Sequence, residues 1–184
     1  MDEMIVSWKC AQGRTKTESP FAPASELRCE ESRLQSANAK ALPMKLDLTA
    51  LRDAIVALDK SVAYLRSDLA RDRELRDQFR AASIQGFEFT YEVAHKMLKR
   101  QLEQIVASPA EVDAMTYMQL IRSAAESGLI ADVARFKDYR DKRNVTSHTY
   151  NPAKAEEIVG ILDGFVGDVR FLLDELERRN RVAD

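Results

Sequence analysis

The segment from residue 140 to residue 151 gathers guanidinium, amide, hydroxyl, imidazole and phenol groups within a short stretch. The guanidinium of Arg143 can bind a phosphate through two parallel hydrogen bonds and stabilise negative charge as it develops. The imidazole of His148 titrates near neutral pH, so it can move a proton to or from a ribose 2′-hydroxyl or a leaving oxygen. These residue types could together bind or cleave a phosphodiester.

The spacing within this segment gives its side chains a common face. On a helix, Asn144 and His148 lie one turn apart, and so do Arg143 and Ser147. Asn144 could therefore fix the imidazole tautomer by a hydrogen bond to one ring nitrogen. A plain structural role is the alternative: Asn144 and His148 would then only cap a helix end, where the helix dipole favours a charged histidine. The residue types alone favour the capping role.

Apolar residues recur at steps of three and four along most of the chain, which predicts amphipathic helices. Ser108-Pro109 and Asn151-Pro152 are typical of helix starts, and Gly128 is typical of a helix end. The expected helices cover about Leu48–Leu69, Glu74–Ile105, Ser108–Gly128, Ala131–His148 and Asn151–Leu176. Since no strand pattern competes with them, we expect an all-α fold, an antiparallel bundle of four to five helices.

The first 43 residues differ from the rest in composition. They hold three of the five prolines, both cysteines and the only tryptophan, and no apolar period persists in them. We expect residues 1–43 to be an extension without a packed core, and residues 44–184 to form the helical domain. The charge-dense run Arg66–Arg80 is expected to be a solvated helix face or a turn.

Composition also narrows the classes of function. The formal net charge of −2 argues against binding of duplex nucleic acid by bulk charge, but it leaves room for a local basic patch. We expect no membrane contact, because apolar runs are short, and a cytoplasmic location, because a signal peptide pattern is absent and cysteines are few. His95 and His148 are the only histidines and lack clustered ligands, so no metal is expected. With no glycine-rich phosphate loop, no cofactor is expected either.

Three sequence patterns together resemble one family. Arg143, four residues, His148, one residue and Tyr150 resemble the Arg-x4-His-x-Tyr signature of the HEPN superfamily, and Asn144 matches its frequent Arg-Asn form. The second-helix segment Ile84–Ala94 is similar to that of the nucleotidyltransferase substrate-binding subfamily. The segments around Ser108-Pro109 and from residue 125 to residue 130 resemble the middle of that subfamily. The likeness covers about residues 46–176, and His95 departs from it, standing where such proteins usually carry tryptophan.

The resemblance implies a helical bundle that forms a homodimer, with two motifs facing each other across a groove. It implies a minimal nucleotidyltransferase as the partner. Some relatives are metal-independent RNases that act as toxins, and some partners silence them by adding AMP to the motif tyrosine, here Tyr150. The broad apolar face of the last helix also favours a homodimer. That face comprises Ile158, Ile161, Leu162, Phe165, Val169, Leu172, Leu173 and Leu176.

Two functions therefore stay open from the sequence. In the first, the protein is a subunit that binds a nucleotide or another substrate beside the nucleotidyltransferase. In the second, it is an endoribonuclease of a toxin–antitoxin pair, with Arg143, Asn144 and His148 as catalytic residues and Ser147 and Tyr150 as binding or modification sites. A structural dimer with a relic site is a third possibility. Five basic residues leading into the motif predict a local basic surface that suits RNA: Arg135, Lys137, Arg140, Lys142 and Arg143.

Overall fold

Helices make up the regular structure in the computed structural model, which describes residues 45–106, 108–146 and 151–182. Within these ranges there is no strand, so the predicted all-α bundle is confirmed. None of the helices there is long and apolar enough to cross a bilayer. A 3-10 turn, Asp68–Arg71, joins the first two helices. The seven α-helices of the described ranges are α1 Thr49–Arg66, α2 Arg73–Ile105, α3 Pro109–Asp113, α4 Tyr117–Glu126, α5 Val133–Val145, α6 Pro152–Val159 and α7 Leu162–Val182.

Seven helices arise where five were predicted because two of the predicted helices are each divided. The expected third helix breaks before α4, where Thr116 and Gln119 form a capping box and the side-chain oxygen of Gln119 accepts from the Thr116 amide at 2.8 Å. The expected last helix breaks at Gly160 and Ile161, between α6 and α7. Glycine is a weak helix former, and here it ends α6.

Several predicted helix ends are confirmed. Pro109 opens α3, and the side chain of Asn151 caps α6 by accepting from the Ala153 amide at 2.9 Å. Gly128 follows α4 with a φ of 70°, and the amide of Leu129 donates to the Ala124 carbonyl at 2.8 Å. That is the Schellman arrangement, in which glycine takes the left-handed position without a steric penalty.

The pairing of α1 with its neighbours is antiparallel. Gly86 of α2 lies against Leu58 of α1, where an added Cβ would come within 3.2 Å of the Leu58 side chain. One turn further along α2, the buried hydroxyl of Thr90 donates to the Ala54 carbonyl of α1 at 3.3 Å. Three ion pairs run along the contact of α1 with α7: Arg52–Glu177, Asp59–Arg170 and Arg66–Asp163.

An aromatic cluster fixes α5 to the centre of the core. Phe87 of α2 and Phe165 of α7 are fully buried, with ring centroids 4.7 Å apart and nearly perpendicular. Tyr139 of α5 packs edge-on against Phe165 at 5.0 Å. The Tyr139 hydroxyl donates to Asp168 of α7 at 2.6 Å, and Arg135 lies 3.0 Å from the same carboxylate oxygen. The helix that carries the motif is therefore anchored on one side by apolar packing and on the other by an ion pair.

The broad apolar face of the last predicted helix is mostly used within the chain. Six of its eight positions are buried in the bundle, and only Ile161 and Leu173 are partly exposed. This face therefore leaves little apolar area for a second copy. The predicted charge-rich run 66–80 is largely exposed, as expected.

Candidate functional site

The start of the motif segment is held against α2. Helix α5 ends at Val145, and Thr146 is the last residue described before position 151. Thr146 is buried, and its hydroxyl hydrogen-bonds to the carboxylate of Glu88 on α2. The same hydroxyl oxygen lies 2.7 Å from the carbonyl oxygen of Arg143. The contact with Glu88 holds the end of α5 against α2.

Arg143 is paired with a carboxylate of α2. Its Nη2 lies 2.7 Å from Oε1 of Glu92 on α2, and both side chains are about two-fifths exposed. Its Nε is buried and donates to no residue in the described part of the chain. The guanidinium is thus oriented by one carboxylate and remains accessible to solvent.

Arg143 and Asn144 line a cleft of about 350 Å³ between α2, α3, α4 and α5. Small-molecule sites typically have volumes of roughly 300–1,000 Å³, so the cleft lies at the lower end of that range. Its wall combines aromatic rings, cations and carboxylates. These are the rings of Tyr91, His95 and Tyr117, the cations Lys99, Arg140 and Arg143, and the carboxylates Glu92 and Asp113. We call this space the motif cleft.

The charges in the motif cleft are only partly balanced. Lys99 lies 2.6 Å from Asp113, and Arg143 is paired with Glu92. Arg140 has no carboxylate partner among the described residues, and its guanidinium carbon lies 4.1 Å from the centre of the Tyr117 ring. A cation over an aromatic face is attracted by the ring's quadrupole. With one more cation than carboxylates among these side chains, the cleft favours an anionic ligand.

The local basic surface predicted along α5 involves fewer residues than the sequence suggested, because the five side chains point in different directions. Arg135 pairs with Asp168 of α7 at 3.0 Å. Lys142 pairs with Glu157 of α6 at 2.9 Å, and Lys137 pairs with Asp141 of its own helix at 3.0 Å. Only Arg140 and Arg143 of the five line the motif cleft. The positive charge is therefore local to the cleft.

His95 lines the cleft, although the sequence singled it out only as a departure from the family pattern. Its ring stacks between those of Tyr91, with centroids 6.4 Å apart, and Tyr117, at 5.8 Å, both nearly parallel to it. Burial lowers the pKa of His95; Arg140 and Lys99 lower it further, while Glu92 raises it. The imidazole is therefore mostly neutral near neutral pH. A signal existed in the sequence, since Tyr91, His95 and Lys99 recur at four-residue steps along one stripe of α2.

The lowered pKa of His95 predicts a pH dependence of stability. As pH falls below the ordinary value of 6.5, the unfolded chain takes up the imidazole proton before the folded protein does, so stability should fall. His95→Phe keeps a planar ring but cannot take up a proton. When the pH is lowered from about 7.5 to about 5.5, the free energy of unfolding should therefore fall less in this variant than in the wild type. Urea unfolding of both proteins at both pH values measures this. Equal losses would contradict it, because Glu92, Lys99 and Arg140 remain in both proteins.

The structure places the predicted site residues unevenly. Arg143 and Asn144 both line the motif cleft, with Asn144 exposed. Ser147, His148 and Tyr150 lie outside the described residues, so their predicted roles remain predictions. Sequence reasoning did not connect Glu92 or Tyr117 with the motif. Across the described ranges, no three His, Cys, Asp or Glu side chains cluster closely enough to hold a metal ion.

The chain is similar in sequence and in fold to known proteins. A Haemophilus influenzae protein named "Probable ribonuclease HepT" is 36% identical over 140 residues, which are 74% of this chain and 96% of that protein. A solved structure from the same organism has a TM-score of 0.64 and 34% identity, and the match covers 71% of this chain and 99% of that one. That structure is described as showing the fold of a substrate binding domain of a nucleotidyltransferase.

The family model described as "Nucleotidyltransferase substrate binding protein like" matches residues 46–178. This match covers every helix described here except the last residues of α7. The resemblance inferred from the sequence motifs is thereby confirmed. The chain belongs to the nucleotidyltransferase substrate binding protein like family of HEPN-type helical domains.

Proposed function

We propose that the protein is the partner of a minimal nucleotidyltransferase and that it binds the phosphate of a nucleotide or of RNA in the motif cleft. The observation that carries the proposal is the presence of Arg140 and Arg143 in one cleft with three aromatic rings. The nucleotidyltransferase partner is supported by the family to which the chain belongs and by the description of its solved relative.

The Arg143–Glu92 ion pair is compatible with phosphate binding by Arg143. Glu92 holds the guanidinium in place while the cleft is empty of ligand, and the pair is open to solvent. Exposed pairs of this kind contribute only about 0–1 kcal/mol, so their exchange for another anion costs little. A phosphate accepts two parallel hydrogen bonds from a guanidinium, which a lysine cannot offer. In this proposal, the ligand phosphate replaces the Glu92 carboxylate as the partner of the Arg143 guanidinium.

Removing the Arg143 side chain tests this proposal. Arg143→Ala should weaken binding of a short single-stranded RNA by about tenfold or more, since hydrogen bonds to a charged group are worth roughly 1.5–3 kcal/mol. Arg178→Ala is the matched control, because Arg178 is also exposed and paired with a glutamate but lies outside the cleft. Fluorescence anisotropy at low salt measures both affinities. Equal affinities of the two variants would exclude Arg143 as the phosphate-binding group.

Endoribonuclease activity is the second candidate function. It is supported by the name of the relative, "Probable ribonuclease HepT", and by the complete Arg143-x4-His148-x-Tyr150 motif of this chain. The ribose 2′-oxygen would attack the phosphorus while the bond to the 5′-oxygen breaks. His148 would take the 2′-hydroxyl proton or give a proton to the leaving oxygen, and Arg143 would neutralise the phosphate. The products are a 2′,3′-cyclic phosphate and a free 5′-hydroxyl.

A homodimer is part of the proposal, and an exposed aromatic residue suggests where the two copies meet. Phe89 of α2 is 58% exposed and lies between Glu88 and Glu92, the two residues that hold the end of α5. Contact at Phe89 would bring two motif clefts close together. Light scattering at micromolar concentration should give a dimer for the wild type and a monomer for Phe89→Ser. A monomeric wild-type protein would contradict the dimer.

A further inference from the structure

We propose that the stacked rings of Tyr91, His95 and Tyr117 form a base-recognition wall, which takes one unpaired nucleobase of the nucleotide unit whose phosphate lies on Arg143. The inference rests on the proposed function, because it assumes that a phosphate binds in the motif cleft. It adds that the base, and not only the phosphate, is bound. The same chemistry fits a free nucleotide and an unpaired position in single-stranded RNA.

The ring stack is fixed from behind. The Tyr117 hydroxyl donates to the Phe136 carbonyl of α5 at 2.7 Å. This phenol group is therefore engaged inside the protein. The three near-parallel rings form one row, of which His95 is the middle member. Tyr91 is buried, so the ring surface that a ligand can reach belongs to His95 and Tyr117, which are partly exposed.

His95 is the member of the row with unused hydrogen-bonding capacity. Neither of its ring nitrogens is hydrogen-bonded to another residue in the parts of the chain described here. A neutral imidazole has one donor and one acceptor nitrogen, which match the alternating donors and acceptors along the edge of a base. Asn144, which lines the same cleft, adds an amide with both functions. The cleft thus holds groups that can distinguish one base from another.

The remaining groups of the cleft suit a nucleotide better than a simple anion. Arg140 lies over the Tyr117 ring at 4.1 Å, so a planar cation already stacks on this wall. Proteins that recognise single-stranded RNA stack bases on aromatic rings and on arginine planes. Inorganic phosphate would use Arg143 and make no contact with the rings. A ligand with a base attached to its phosphate uses both parts of the cleft.

The test compares ligands that differ only by a base. Calorimetry would measure the four nucleoside 5′-monophosphates against ribose 5-phosphate. Anisotropy would measure a short single-stranded 2′-O-methyl RNA of mixed sequence against an abasic oligomer of the same length. The methylated RNA cannot be cleaved by attack of the 2′-oxygen. We expect the base-containing ligands to bind at least about tenfold more tightly than their base-free counterparts, since one stacked base typically contributes such a factor.

Three variants assign the effect to residues. His95→Phe keeps the stacked ring but removes both nitrogens, so it should reduce the preference among the four bases. His95→Ala should remove most of the advantage that a base gives. Arg143→Ala should weaken all ligands and leave the ratio between base-containing and base-free ligands unchanged. Phe171→Ala is the control, because Phe171 is an exposed aromatic residue outside the cleft. Thermal unfolding by circular dichroism checks that each variant is folded.

The outcomes separate the two proposals. Equal binding of ligands with and without a base overturns the base-recognition wall and leaves phosphate binding intact. An advantage for bases that His95→Ala does not reduce also overturns it. Failure of every phosphate ligand to bind overturns both proposals. If a base strengthens the binding of the RNA oligomer but not of the nucleotides, the ligand is single-stranded RNA. If a base strengthens the binding of both, free nucleotides are also ligands.

Discussion

The His148→Ala variant should cleave RNA on the order of 10²–10⁴-fold more slowly than the wild-type protein in the presence of excess chelator, which is the usual contribution of general acid–base catalysis. In the ribonuclease mechanism, His148 moves the proton that accompanies attack by the 2′-hydroxyl. Activity should therefore survive chelation and leave 2′,3′-cyclic phosphate ends. Mass spectrometry of the products of total RNA, with rates from gel densitometry, measures both.

Two further motif variants serve as controls for this result. Arg143→Ala should also lose activity, while its fold stays nearly intact because the side chain is partly exposed at a helix end. Tyr150→Phe should keep its cleavage rate, yet it should resist silencing by a nucleotidyltransferase that adds AMP to the tyrosine. If the wild type and His148→Ala show the same negligible cleavage, the binding subunit is the better account of the protein.

The Phe165→Ala variant should lose about 3–5 kcal/mol of its free energy of unfolding, the usual cost of removing a large buried aromatic side chain. Phe165 is fully buried and contacts Phe87 of α2 and Tyr139 of α5. Its removal leaves a cavity where three helices meet. Because Tyr139 anchors α5, the variant should also bind RNA more weakly at temperatures at which it remains folded. Urea denaturation followed by circular dichroism measures the stability.

Phe171→Ala provides the comparison for Phe165→Ala. Both residues belong to α7, but Phe171 is 42% exposed. Its truncation should change the free energy of unfolding by no more than about 0.5 kcal/mol, as is usual for surface positions. A loss of similar size in the two variants would show that the aromatic cluster is not the centre of the core. Phe165→Leu should lie between them, because leucine refills part of the cavity.

The fold was largely predictable because its signals are local. Apolar periodicity located the helices, and the residue types at Pro109, Gly128 and Asn151 marked their ends. The break before α4 was missed because the expected cap was sought at Ser108. The hydrogen bonds that stop and restart the chain are those between Thr116 and Gln119. A capping box of only two side chains is easily hidden within a continuous apolar pattern.

The motif cleft was predictable only in part, because it depends on contacts between distant segments. Arg143 and Asn144 were found through a local motif, and the structure places both in the cleft. The ion pair of Arg143 with Glu92 and the stacking of His95 on Tyr117 join α5 to α2 and α2 to α4. Periodicity places each residue on its own helix but cannot show which helix covers it. For the same reason, the sequence could not show that Arg135 and Lys142 of α5 are paired with carboxylates of α7 and α6.

The ion pairs between α1 and α7 determine how these two antiparallel helices align. Along α1 the charges alternate as Arg52, Asp59 and Arg66, seven residues apart, and along α7 the opposite signs follow at the same interval: Glu177, Arg170 and Asp163. A slip of seven residues would keep apolar side chains facing apolar side chains, so the core alone would oppose it weakly. It would, however, place Arg52 opposite Arg170 and Asp59 opposite Asp163. Each of these ion pairs adds little to the stability of the correct bundle. Together they disfavour the misaligned bundle, because like charges would face each other there.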